Sequence, residues 1–194
     1  MAKMKEIRDE VLSLTVSSLY EYRTANHYWP VIGEGSHEAA IMFVGEAPGK
    51  NEAKTARPFC GAAGKILDEL LASIGLPRAD VYVTNIVKDR PPDNRDPSPD
   101  EIALYGPFLD RQIDIIRPKV LATLGRFSLG YILQKYSAPE RFDNISKLHG
   151  QVVAVAAPHG QMSVVALYHP AAAIYNQALK DTLKTDFQAL KKFI

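Results

Sequence analysis

Ile7, Val11, Leu12 and Leu14 recur at helical spacing in a charged segment running to about Ser18, which predicts an amphipathic helix. A loop rich in aromatics and glycine follows from Tyr20 to Glu38, and then an apolar strand from Ala40 to Val44. Between Gly61 and Ile74 the apolar residues Ile66, Leu67, Leu70 and Leu71 share one helical face, and Gly75 supplies the C-terminal stop. Asp80 to Thr84 alternates as a short strand does and ends at Asn85. Four prolines between Arg90 and Pro99 predict a rigid, irregular loop. Pro99 then opens a long helix to about Ile116. A third strand, Lys119 to Leu124, is closed by Gly125 and leads into a helix from Arg126 to Lys135. Val152 to Ala156 and Ser163 to Leu167 read as a hairpin across Pro158, His159 and Gly160, and a last helix covers about Gln177 to Phe193.

Strands alternating with helices argue for an α/β layer structure with a parallel sheet, and no repeat, low-complexity tract or linker divides residues 1–194, which predicts one domain. In such a sheet the carboxyl ends of the strands are where ligands bind. The turn Gly45-Glu46-Ala47-Pro48-Gly49 stands at such an end. Its glycines permit close backbone approach, its proline stiffens the bend, and Glu46 is placed at the mouth of a cleft, where a catalytic or water-orienting carboxylate belongs. Taken alone, the turn reads equally well as a plain strand-to-loop connection with a solvated glutamate.

Composition narrows the class. The balance of 46% hydrophobic and 23% charged residues is that of a soluble globular protein, and no stretch approaches the roughly 18 apolar residues of a membrane span. The start of the chain has no apolar run followed by a cleavage site, so a cytoplasmic setting is expected. Cys60 is the one cysteine, which excludes an internal disulfide and a cysteine-built metal site. A net charge of +1 does not advertise a nucleic-acid partner, so any DNA-binding face must be a local patch.

Three strand ends carry distinctive polar groups: Glu46, Asn85 and His169. Around them lie the strings GEAPG, TARPFCGAAGKILDELL, VYVTNIVKDRPPDNR, KVLATLGRFSLGYIL and YHPAA. In this order and spacing they resemble the uracil-DNA glycosylases, closely the family-4 type of bacteria and archaea, over nearly the whole chain from about Leu14. The resemblance implies a three-layer α/β/α sandwich around a mainly parallel sheet of four to five strands. It also implies the site. Phe59 matches the uracil-stacking aromatic, and Asn85 the asparagine that reads uracil O4 and N3–H. His169 matches the late histidine whose donor stabilises charge on uracil O2. Gly45 and Ala47 line the uracil pocket, and Ala47 stands where some relatives place a catalytic aspartate. Glu46 is then the first choice for handling the attacking water. Glu52 is the second choice, or lines the C5 side of uracil. DNA-facing positions are Gly49, the basic loop residues Lys88, Arg90 and Arg95 as phosphate contacts, and Pro170, Ala171 and Ile174 after the histidine, with Ile174 as an apolar wedge.

The chain also departs from the pattern. Family-4 enzymes hold an iron–sulfur cluster with four cysteines, and Leu14, Ser17, Asp89 and Tyr105 occupy those positions here. No cluster or other cofactor is therefore expected. Packing by Leu14 and Tyr105, with Asp89 paired to a basic neighbour, is expected in its place. Ala56 replaces a glycine and Tyr175 an arginine in DNA-facing segments. The loop Lys88 to Pro99 lacks the histidine through which one branch of the superfamily binds uracil-DNA covalently. The implied activity is a monofunctional glycosylase that flips uracil out of DNA and hydrolyses its N-glycosidic bond. Its partners are uracil-containing DNA and free uracil as product, with no membrane, and the protein is expected to be a monomer. The alternatives are a DNA- or uracil-binding module of the same fold with weak turnover, and an N-glycosidase for another deaminated base or for free nucleosides.

Overall fold

Ile41, Met42, Phe43 and Val44 are apolar without alternation, and a strand can be apolar on both faces only when both are covered. The computed structural model, which describes residues 2–194, has that arrangement. Strand β2 (Ile41–Gly45) is buried along its whole length. It lies between β3 (Tyr82–Asn85) and β4 (Val120–Leu124), parallel to both. β6 (Gly160–Leu167) runs parallel to β4, and β5 (Val152–Ala157) closes that side as an antiparallel hairpin partner. A two-residue strand β1 (Glu34–Gly35) pairs antiparallel with β3, giving the order β1-β3-β2-β4-β6-β5. The sheet thus has six strands rather than the four or five expected. The extra strand lies inside the predicted loop and is too short to carry a periodic signal.

Alternate residues of each strand enter different cores. Met42, Val44, Leu121 and Val164 pack with α1 (Ala2–Leu12), α5 (Pro99–Ile116) and α6 (Arg126–Lys135). Ile41, Phe43, Ala122 and Val165 pack with α4 (Ala62–Ser73) and α7 (Gln177–Phe187). These are the two outer layers of a three-layer sandwich. α1 stops at Leu12 rather than near Ser18, and the Arg23 guanidinium takes the Val11 and Leu12 carbonyls at its end. Two six-residue helices escape periodicity: α2 (Tyr20–Ala25) and α3 (Lys50–Thr55). α5 begins with a reciprocal capping box between Ser98 and Glu101, with Pro99 at its first position. Among the described residues, no helix is long and apolar enough to cross a membrane.

Candidate active site

The carboxyl ends of β2, β3 and β6 open into a cleft of about 440 Å³ lined by Glu46, Phe59, Asn85 and His169 among others. Register brings the first of these together. Gly45 pairs with Asn85, and the ladder continues beyond the strands as Ile86 N–H donates to the Gly45 carbonyl and Val87 N–H to that of Glu46. Gly45 is a glycine for a steric reason. A Cβ there would stand 2.3 Å from Asn85 Oδ1 and 2.7 Å from the Phe59 ring, so any side chain would push the asparagine and the phenylalanine apart.

Phe59 is held against its own backbone preference, at φ +48°. Three neighbours fix that turn. Glu52 Oε1 accepts both Cys60 N–H at 3.1 Å and Gly61 N–H at 2.9 Å. Arg78 donates to the Pro58 carbonyl at 2.7 Å. Gly64 leaves room for the Phe59 carbonyl, which a Cβ would meet at 1.8 Å. Glu52 lines the cleft with one of its oxygens committed to this turn, whereas Glu46 lines it with no such bond to the Phe59 turn. The Phe59 and His169 rings lie 5.6 Å apart, tilted by 30°.

The polar groups of the cleft are incompletely satisfied. Asn85 is 2% exposed, and its Oδ1 is buried without a hydrogen-bond partner. His169 Nδ1 accepts the Ala171 N–H at 3.1 Å, which leaves the ring proton to Nε2. Burial pushes this imidazole down to about 4, so it is neutral at physiological pH. Burial, and then the Asp96 carboxylate, push Glu46 up to about 7 while Arg126 opposes them. Ala47 and Gly49 complete the turn and line the same cleft. The other four histidines lie elsewhere. His149, for instance, pairs with Asp186 at 2.9 Å and lies tilted against the Tyr168 ring.

The residues expected to face DNA divide. Gly49, Arg95 and Ala171 line the cleft, and Arg95 is held by Glu101 through bonds of 2.9 and 2.6 Å while its side chain stays 45% exposed. Hydrogen bonds from Arg95, Ser98 N–H and Ser18 outweigh burial and hold the Glu101 carboxyl down at about 2. Lys88 and Arg90 correct the expectation of phosphate contacts. Lys88 is wholly buried behind Asn85, and Arg90 is enclosed by Tyr22, Tyr28 and Asn94. Periodicity cannot distinguish a basic residue in a loop from one folded under it. Pro170 is buried in the turn after His169. Ile174 packs half-buried on the second core, and the side chain that stands out from this loop is Tyr175, 99% exposed. Three charged residues of this region are not singled out by the sequence patterning: Lys50, an exposed residue of the cleft wall, and the paired Asp96 and Arg126 beside Glu46. Ala56 adopts φ +58°, the conformation a glycine would take at no cost.

Leu14, Ser17, Asp89 and Tyr105, which the resemblance sets at cluster positions, do not have the chemistry of iron–sulfur ligands. Ser17 and Tyr105 hydroxyls are 2.8 Å apart, and Tyr105 donates to Asp89 Oδ2 at 2.6 Å. Asp89 is paired with Arg23 at 3.0 Å, and Arg23 also donates to the Val11 and Leu12 carbonyls that end α1. Direct contact between these oxygens leaves no volume for a cluster, and none of the side chains is a thiolate. Burial raises the Asp89 carboxyl, while Tyr105 and Arg23 draw it back. Leu14 packs on the first core alongside.

Comparison with known proteins agrees with this geometry. The model of the uracil DNA glycosylase superfamily matches residues 32–191. The chain is 47% identical to the type-4 uracil-DNA glycosylase of Sulfurisphaera tokodaii, over 99% of this chain and 85% of that one. It is 43% identical to that of Archaeoglobus fulgidus, over 98% and 92%, and 37% identical to that of Thermotoga maritima, over 98% and 94%. With its fold, its cleft and these relatives on one side of the account, the chain belongs to the uracil-DNA glycosylase superfamily, among proteins of type 4.

Proposed function

We propose that this protein excises uracil from DNA and leaves an abasic site, with Phe59, Asn85, His169 and Glu46 as the working groups. The observation that carries the reading is the buried, unpartnered Asn85 Oδ1 facing the Phe59 ring across Gly45. An acceptor left unmade in that position costs about 1–3 kcal/mol, and uracil N3–H is a donor of the right kind to satisfy it. The amide NH₂ then donates to uracil O4. Cytosine presents the opposite pattern at that edge and leaves both groups unpaired, and sites of this kind discriminate by about 10⁴-fold or more.

Cleavage of the N-glycosidic bond puts negative charge on the uracil ring and positive character on the sugar. A neutral imidazole with its proton on Nε2 supplies a fixed donor to O2 and needs no reorganisation as that charge develops. Glu46, as carboxylate, orients the attacking water, accepts its proton and favours the cationic sugar. Arg95 keeps the phosphate contact expected of it, and Lys50 and Arg126 take the place of the buried Lys88 and Arg90, around the rim formed by Gly49 and Ala171. The flipped base leaves a gap that Tyr175 fills by stacking. The reaction needs no iron–sulfur cluster, because the Arg23–Asp89–Tyr105–Ser17 network joins the segments that a cluster would tie.

Incubation with uracil-containing single- and double-stranded oligonucleotides, followed by alkaline cleavage of abasic sites, tests the activity. Strand scission at uracil and not at cytosine is the expected result. DNA binding without scission would overturn it in favour of a binding module, and release of uracil from deoxyuridine alone would favour a nucleosidase. Protein purified anaerobically is expected to be colourless and free of iron. Stoichiometric iron with visible charge-transfer absorption would overturn the cluster-free reading.

A further inference from the structure

Lys88 is a fully buried amine with no carboxylate among its hydrogen-bond partners. Its Nζ lies 2.5 Å from the Asn85 carbonyl oxygen, 2.6 Å from Gln112 Oε1 and 2.9 Å from Thr84 Oγ1. Enclosing an amine is expensive, and a methionine or leucine would fill the same volume without that cost. The partners say what the amine supplies.

β1 pairs with β3 only at Tyr82 and Val83. The peptide after Asn85 turns its N–H toward β2, where Ile86 N donates to the Gly45 carbonyl, so the Asn85 C=O points the other way, past the end of β1. No strand is there to receive it, and an unpaired buried carbonyl is not tolerated for free. Lys88 reaches back three residues to take it at 2.5 Å, while the Thr84 hydroxyl, whose shorter bond goes to Ile32, stands 3.4 Å away. Gln112 on α5 holds the amine from the far side, and donates in turn to the Ile32 carbonyl at 2.9 Å. Thr84, the residue before Asn85, gives its hydroxyl to the same Ile32 carbonyl at 2.6 Å.

The Asn85 side chain has no such anchor, since its Oδ1 is without a partner. Where the amide points is therefore set by the backbone of Asn85 and by the packing of Gly45 and Phe59. We propose that Lys88 is a positioning residue: its buried amine fixes the Asn85 peptide from behind, and thereby aims the side-chain amide at the base. The inference rests on the reading of Asn85 given above and adds to it a residue that touches neither base nor DNA.

A double-mutant cycle tests it. Lys88→Met keeps the volume and removes the donor. Single-turnover rates on a uracil oligonucleotide are measured for the wild type, Lys88→Met, Asn85→Ala and the double variant, well below their melting temperatures. The expected loss for Lys88→Met is about a hundredfold with Asn85 present, the cost of a small misplacement in a site of this kind, with DNA affinity unchanged within about twofold. In the Asn85→Ala background the same change should cost less than about threefold, because the residue it positions is gone. A full rate for Lys88→Met, or the same fold loss in both backgrounds, overturns the proposal. Near-full activity of Asn85→Ala overturns the reading of the site itself, and the proposal with it. Should Lys88→Met not fold, Gln112→Leu, which removes the amine's second anchor, enters the same cycle, and its loss must likewise vanish without Asn85.

Discussion

Two polar clusters sit at either end of the five residues from Asn85 to Asp89, and they are built in opposite ways. Around Asp89, the carboxylate, the Arg23 guanidinium and the Tyr105 and Ser17 hydroxyls all have partners, and Arg23 caps the end of α1 besides. Around Asn85, Oδ1 is orphaned, His169 has one bond to its ring, and burial pushes the Glu46 carboxyl up to about 7. A fully connected buried network rigidifies, whereas a partly satisfied one costs free energy until something binds. In the function proposed above, the first cluster is structure and the second is reserved for a substrate, though the same short segment of chain serves both.

The largest effects come from breaking the reserved cluster. Asn85→Ala and His169→Ala should each slow uracil release by about 10²–10³-fold or more. Neither side chain holds the fold together, so both variants should melt within a few degrees of the wild type. Single-turnover kinetics beside thermal melts measures the two together. A collapse in melting temperature, or a rate near that of the wild type, would erase the distinction between the clusters.

Asp89→Ala is the counterpart and should invert the pattern. It strands the Arg23 guanidinium in a buried site, which costs about 3–5 kcal/mol, or a fall of about 10 °C in melting temperature for a chain of this size. At temperatures where it remains folded, its rate per molecule should stay well above that of Asn85→Ala. Tyr105→Phe, which removes one hydroxyl, should cost about 1–3 kcal/mol by the same measure.

The two clusters were not equally legible in the sequence. The apolar runs of β2, β3, β4 and β6 announced a parallel sheet, and the polar residues just past them marked the cleft, because strand ends are fixed by where apolar character stops. The sequence points to Asp89 with a basic neighbour at the positions the resemblance gives to cysteines. That the neighbour is Arg23, some 66 residues earlier, is a tertiary fact with no local pattern. Lys88 and Arg90 failed for the same reason. Composition of a loop says it is basic, and only the packing of Tyr22, Tyr28 and Gln112 says that both side chains fold inward. β1 and the short helices α2 and α3 lie below the length at which periodicity is measurable.

The loop after His169 offers a smaller effect. Tyr175 is exposed and Ile174 is not, so Tyr175→Ala should lower kcat/KM on duplex DNA by about tenfold, the worth of one stacked base, with little loss on single strands. Ile174→Ala should lower stability instead, by about 1 kcal/mol of lost packing, and change the duplex-to-single-strand ratio little. A reversed result would return the wedge to Ile174.

The smallest shift is electrostatic and bears on how the reserved cluster is tuned. If the active form of Glu46 is the carboxylate, the rate of uracil release rises with pH as that group loses its proton, with a midpoint at about 7. His169 contributes no limb in this range, since its ring has already become neutral above about 4. Asp96 is a negative neighbour that raises Glu46, so Asp96→Asn should move the midpoint down; Arg126 opposes it, so Arg126→Met should move it up. Both side chains are more than half exposed, and screening should hold each shift to about half a pH unit, or roughly threefold in rate on the acid side. Glu46→Gln should abolish the limb altogether. Opposite displacements in the two variants would place the water-handling carboxylate at Glu46, whereas a profile indifferent to both would move that role to another group in the cleft.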